Sequence, residues 1–218
     1  ELLRRCTMHG VNRDFLIVYP KVGGCMKRIC IVLMCILLSG VAHAGPFGTS
    51  EGDGIDRYPG AESLGDDTYV VYSLPKSHPD FDTFLLTIPE KYGLVKIQAL
   101  SKTIENDSSG EKTRALFSKI QKQVESKYGE PEYVFDDIKP DSIWKKTTEW
   151  SIALAKDERA LRARWKVQND KDHIIIIGLS AHAKQKGMST ENAVHLFYFY
   201  EKMNEYMKEK AAEETGSL

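Results

Sequence analysis

The sequence predicts an α+β fold: a single domain in which an antiparallel sheet of about five or six strands carries one long amphipathic helix. Three observations predict it. Short runs rich in β-branched and aromatic residues recur through the chain, among them TYVVYSL from Thr68, HIIIIGLSAHA from His173 and AVHLFYFYE from Ala193. Two apolar-alternating runs flank a turn in TFLLTIPEKYGLVKIQAL, the pattern of an antiparallel hairpin. A sustained helical period stands in SSGEKTRALFSKIQKQVESKYGEP.

Taken in order, residues 45–66 contain six glycines, two prolines and few large apolar groups, so they are expected to be a flexible leader. The globular domain is expected over 67–201, its first strand starting near Thr68. In the hairpin, Phe84, Leu86 and Ile88 share one strand face and Val95, Ile97 and Ala99 share another, with Pro89 and Gly93 in the connection. Ser108 and Glu111 have the spacing of a capping box at the start of the helix. Leu116, Ile120, Val124 and Tyr128 form its apolar stripe with Phe117 alongside, and Gly129 and Pro131 end it. A short helix is expected at 148–157. After it, Leu161, Ala163, Trp165 and Val167 alternate with Arg162, Arg164 and Lys166, a strand with one wet face. The last two strands are apolar or aromatic on both faces, which places them centrally or against a partner. The long helix is expected on one face of the sheet, with the 148–157 segment and the tail on the other. Residues 202–218 read as a charged helical tail.

The compartment is read from an earlier stretch. From Met26 come Lys27 and Arg28, an apolar run from Ile29 to Val41, and Ala42-His43-Ala44 before Gly45. This is the order of a secretory signal peptide with an A-x-A cleavage site, and the run is shorter than the roughly twenty residues a membrane-spanning helix requires. Residues 1–25 are then read as a mis-assigned upstream leader, 26–44 as the signal, and the mature chain as periplasmic or secreted without stable membrane insertion. All four cysteines (Cys6, Cys25, Cys30 and Cys35) fall before residue 45, so no disulfide is expected in the domain. The part from Gly45 keeps 24 basic and 29 acidic residues, a net charge of −5, which argues against a nucleic-acid partner.

Each candidate for chemistry has a plainer explanation beside it. His78, Asp80 and Asp82 in SHPDFD are metal-ligand types, but three or four converging ligands would be needed, so no metal site is assigned. Ser142 and Lys145 match S-x-x-K without its companion motifs. Trp144, Trp150 and Trp165 could form a stacking platform, though indoles are more often core residues. Asp136 and Asp137 lie in a stretch read as a solvated loop. No cofactor motif is present, and no catalytic residue is assigned.

Over about residues 75–165, the stretches PKSHPDFDTFLLTIPEKYGLVKIQALSKTIENDSSG, SIWKKTTEW and ERALRARW resemble a group of small exported proteins of Gram-negative bacteria that have no established function. The resemblance implies export and a compact α+β domain, and carries no activity or site residue. In that group the mature part opens with a phenylalanine-glycine stretch running into a short helix, whereas Phe47-Gly48 here leads into a Gly-rich segment. The expectation is therefore a non-enzymatic binding or interaction protein, with an envelope protein as its partner. Its partner surface is assigned to the second face of the aromatic strand, His195, Phe197 and Phe199. The alternative is a hydrolase acting on an envelope polymer through His78, Asp80, Asp82 and Asp136.

Overall fold

The computed structural model describes residues 45–216 apart from Asn169 and Met188; the upstream leader and signal peptide expected over 1–44 lie outside the described residues. The described chain is α+β, as expected, but its antiparallel sheet has nine strands rather than five or six, accompanied by three helices. In chain order these are β1 (Glu62–Gly65), β2 (Thr68–Val71), β3 (Phe81–Thr87), β4 (Lys96–Ser101), β5 (Ile104–Glu105), α1 (Glu111–Tyr128), β6 (Tyr133–Ile138), α2 (Trp150–Ala155), β7 (Arg159–Lys166), β8 (Ile174–Lys186), β9 (Ser189–Tyr200) and α3 (Met203–Gly216). Across the sheet the order is β1-β2-β3-β4-β9-β8-β7-β6, with β5 pairing separately to β9. The extra strands are those without an alternating apolar pattern. β1 is exposed throughout, β5 is two residues long, and β6 occupies the supposed solvated loop, taking its order from pairing with β7.

The two long strands β8 and β9 lie at the centre, where their apolar content put them. Along β9, Asn192, Val194, Leu196, Tyr198 and Tyr200 are buried while the residues between them are only partly covered. The buried set joins Ile177 and Leu179 of β8, Leu161 and Trp165 of β7, and Phe84, Leu86 and Ile97 of the β3–β4 hairpin in one apolar cluster.

Helix α1 enters that cluster through Phe117, Ile120 and Val124, and α2 enters it through Trp150 and Leu154. Both helices therefore cover the same face of the sheet. The expectation that the 148–157 segment would lie on the opposite face is overturned, because Trp150 and Leu154 belong to the same buried cluster as Phe117 and Ile120. Helix α3 is tethered at an end of the sheet, where the Tyr206 hydroxyl meets Asp67 at 3.1 Å and Glu209 accepts from Lys91 and from the Tyr92 hydroxyl. Among the described residues the other face carries no helix. Among the described residues no helix is long and apolar enough to cross a membrane.

The start of α1 is held differently from the expected capping box. Gly110 occupies the N-cap and no Ser108 cap bond forms. Instead the buried Asp107 carboxylate accepts from the Lys112 and Thr113 amides at 3.0 and 2.8 Å and from the Thr113 hydroxyl at 2.6 Å. The Asn192 amide on β9 donates into the same knot, reaching Thr113 Oγ1 at 3.1 Å and Ser151 Oγ at 2.7 Å. One polar cluster thus ties α1 and α2 to the sheet.

Residues 45–66, expected to be a flexible leader, are folded onto the domain. Phe47 packs edge-on against Phe81, Phe84 and Tyr198, with ring centres 5.1 to 6.1 Å apart. Buried Thr49 meets the Tyr200 hydroxyl at 3.0 Å, and buried Tyr58 donates to Asp53 at 2.9 Å. Gly52 and Asp53 exchange backbone hydrogen bonds with Leu94. A Cβ on Gly93 would overlap the Gly52 backbone, so glycine here permits close approach of two chain segments. A count of apolar residues had suggested mobility where two well-placed rings and main-chain bonding supply order.

Candidate functional site

The uncovered face is built from alternate residues of five strands. Lys96 and Gln98 of β4 lie opposite Phe199 and Phe197 of β9, which lie opposite Ile176 and Gly178 of β8. Gly178 in turn pairs with Arg164 of β7, and Arg164 with Tyr133 of β6. One row along, His195, Ser180, Arg162 and Phe135 are aligned across β9, β8, β7 and β6. Strand alternation sends the intervening residues to the core, so this composition follows from pairing register.

These rows enclose a shallow cavity of about 460 Å³, within the range of small-ligand sites. Its floor is Gly178, where a Cβ would overlap the Phe197 ring; without a side chain, the ring lies down over the strand. Phe199 stands edge-on to Phe197, with ring centres 5.5 Å apart at 82°. The Lys96 ammonium lies 5.4 Å from the Phe199 ring centre, and burial holds it below its ordinary pKa. Neither Lys96 nor Arg162 has a carboxylate within ion-pair distance among the described residues, whereas Arg164 faces Glu132 at 3.7 Å.

At one side of the cavity the His182 and His195 rings stack, centres 4.0 Å apart and 20° from parallel. His195 Nδ1 meets the Gln98 amide at 3.2 Å, and His182 Nε2 meets Ser180 Oγ at 2.8 Å. Burial, and then the neighbouring His182, push His195 down to about 4; burial, and then Arg162, lower His182. Both imidazoles are accordingly neutral at pH 7. A serine hydrogen-bonded to a neutral imidazole is half of a nucleophilic apparatus. Among the described residues no carboxylate hydrogen-bonds His182, and the backbone amides beside Ser180 are engaged in the centre of a sheet rather than free to bind an oxyanion.

The three residues assigned from sequence, His195, Phe197 and Phe199, stand side by side on this face. The sequence reading missed Lys96, Arg162, Ile176 and Gly178, whose convergence depends on register between strands distant in the chain. The basic residues did carry one local signal, the Arg162, Arg164, Lys166 alternation.

The alternative constellation is not brought together. His78 and Asp80 approach to 3.7 Å, but Asp80 is held by Lys119 at 2.7 Å. Asp82 bonds Thr83, and Asp136 pairs with Arg159 on β7 next to the far edge of the sheet. No group of three metal-ligating side chains occurs among the described residues. Trp150 and Trp165 are core residues, the latter donating to the Gly129 carbonyl at 2.9 Å, so there is no three-indole platform. Ser142 bonds Glu158 and Lys145 bonds the Pro140 carbonyl, which leaves S-x-x-K without a serine–lysine contact. No family model, curated protein or solved structure matches the chain.

Proposed function

We propose that this protein is an exported, periplasmic or secreted, non-enzymatic binding protein that receives its partner on the uncovered face of the sheet. The carrying observation is the row Lys96, Phe199, Ile176 with Phe197 beside it: among the described residues, large apolar groups and a cation without a carboxylate partner stand at the centre of a sheet whose helices lie elsewhere. Uncovered apolar area of this kind at the middle of a domain marks a binding surface. Export rests on the Met26–Ala44 pattern and on the resemblance over residues 75–165. An envelope component is the partner that this compartment offers.

The test is site-specific photo-cross-linking in cells, with the reactive residue at Tyr133 on the rim and, as a control, at Tyr72, which is 62% exposed on β2's side of the sheet. A species captured from position 133, absent from 72 and lost on Phe197→Asp, supports the reading. Equal capture at both positions, or none at 133, sinks it. Mass spectrometry of the recovered amino terminus tests export at the same time, with Gly45 as the expected first residue.

The Ser180–His182 contact of 2.8 Å favours a second reading, a hydrolase acting on an envelope polymer. It lacks an oriented base and an oxyanion hole. Incubation with a fluorophosphonate probe decides it: modification at Ser180 would establish the enzyme, and an unmodified serine is the expected result.

A further inference from the structure

The chemistry of the open face defines a class of ligand, on the premise that this face is the binding site. We propose that the cavity takes a single-chain anionic amphipath, a fatty-acid type carboxylate, with its chain on Phe197, Phe199 and Ile176 and its head group against Lys96.

Three features converge on this occupant. The first is charge. Lys96 is desolvated beside Phe199 and lacks a carboxylate partner among the described residues, so an anion arriving there gains an ion pair without breaking one. Across three strand spacings, about 14 Å, Arg162 makes the opposite rim basic as well, while Arg164 beside it is offset by Glu132 at 3.7 Å. The domain as a whole carries a net negative charge, which makes this positive rim a local arrangement rather than a consequence of composition. The second feature is shape. Phe197 lies down over Gly178 while Phe199 stands edge-on to it. Edge-to-face rings offer no parallel slot to clamp a planar ring system, whereas a flexible chain can follow the step between them. The third is size: a shallow depression of about 460 Å³ on this face matches the volume of a small molecule. The apolar floor supplies affinity in proportion to the chain area it removes from water, and Lys96 fixes which end of the chain lies at β4.

The experiment is titration of the isotope-labelled full chain with dodecanoate, dodecanol and dodecyltrimethylammonium, each below its micellar concentration, followed by amide and aromatic NMR shifts. Dodecanoate is expected to shift resonances of residues 96–98, 176–180 and 195–199 saturably. Dodecanol should bind about tenfold more weakly, the loss of one desolvated charge pair, and the cation should not bind. Lys96→Gln should weaken dodecanoate by about the same factor while Lys96→Arg retains it, with unchanged urea midpoints showing that both variants are folded. Equal binding of alcohol and carboxylate, or an indifferent Lys96→Gln, overturns the anion assignment. Tighter binding of 2-naphthoate than of dodecanoate overturns the chain assignment. No shift on this face with any probe overturns the proposal outright; the Tyr133 cross-link, which does not depend on lipid, then reports separately whether the face binds a protein.

Discussion

At the scale of single residues, two polar sites on β9, one buried and one partly covered, have opposite characters. Asn192 is a structural joint: its amide serves Thr113 and Ser151 from 1% exposure, so truncation removes a shared buried donor from hydroxyls on both helices, which keep only their bonds to Asp107. Asn192→Ala should lower stability by about 2–3 kcal/mol, read from urea unfolding, with no effect on the open face. His195 is a titrating group. Its folded pKa of about 4 lies below the ordinary value of a histidine, so between those values the unfolded chain holds a proton that the folded chain does not. Its stabilising contribution is complete above about pH 6.5 and is lost as the pH falls towards 4. On the order of 2 kcal/mol should disappear between pH 7.5 and 4.5, and His195→Gln should flatten that limb. An unchanged slope in the variant would mean that His195 is not the group responsible.

At the scale of elements, β8 and β9 decide what the molecule presents. Each has two faces that local sequence can separate, because side chains alternate with a period of two. AVHLFYFY accordingly divides into Val194, Leu196, Tyr198 and Tyr200 on one side and His195, Phe197 and Phe199 on the other. Gly178 is the place where the two strands interlock across the open face. Gly178→Ala should cost about 1–3 kcal/mol by crowding Phe197 and should also displace the ring from the cavity floor, visible as altered Phe197 and Phe199 aromatic resonances. A methyl group accommodated without either change would refute this account of the floor. Strands β1, β5 and β6 were not legible as strands. β6 is exposed almost throughout, with Tyr133, Val134 and Phe135 each 46–49% exposed, and it is a strand because β7 offers it a ladder.

At the scale of the whole described domain, the sheet is covered by helices on one face and, among the described residues, by none on the other. Both packed helices feed one cluster, and the segment before β1 completes that cluster from the end. Phe47 is the fastener, held with a left-handed backbone (φ 55°) between Phe81, Phe84 and Tyr198. Phe47→Ala should destabilise the domain by about 2–3 kcal/mol and expose the segment from residue 45 to 60 to proteolysis before the sheet unfolds. If the segment were an independent leader, the variant would unfold at the wild-type midpoint. Glycine content misled here because the same residue type that permits mobility also permits close contact, and only the position of Gly93 against Gly52 distinguishes the two.

By itself the sequence determined the α+β class, the β3–β4 hairpin, the amphipathic helix, the central place of β8 and β9, and the grouping of His195, Phe197 and Phe199. All of these depend on periodicities of two or of about 3.6, which are local properties of a chain. Tertiary structure alone decided which sheet face remained uncovered, and it brought Lys96, Arg162, Ile176 and Gly178 to the two phenylalanines. The physical reason is that alternation separates two faces without saying which one a helix will cover. Coverage and register are settled by packing between segments up to about a hundred residues apart, where Trp150 and Leu154 found the same cluster as Phe117 and, among the described residues, left the opposite face without a helix.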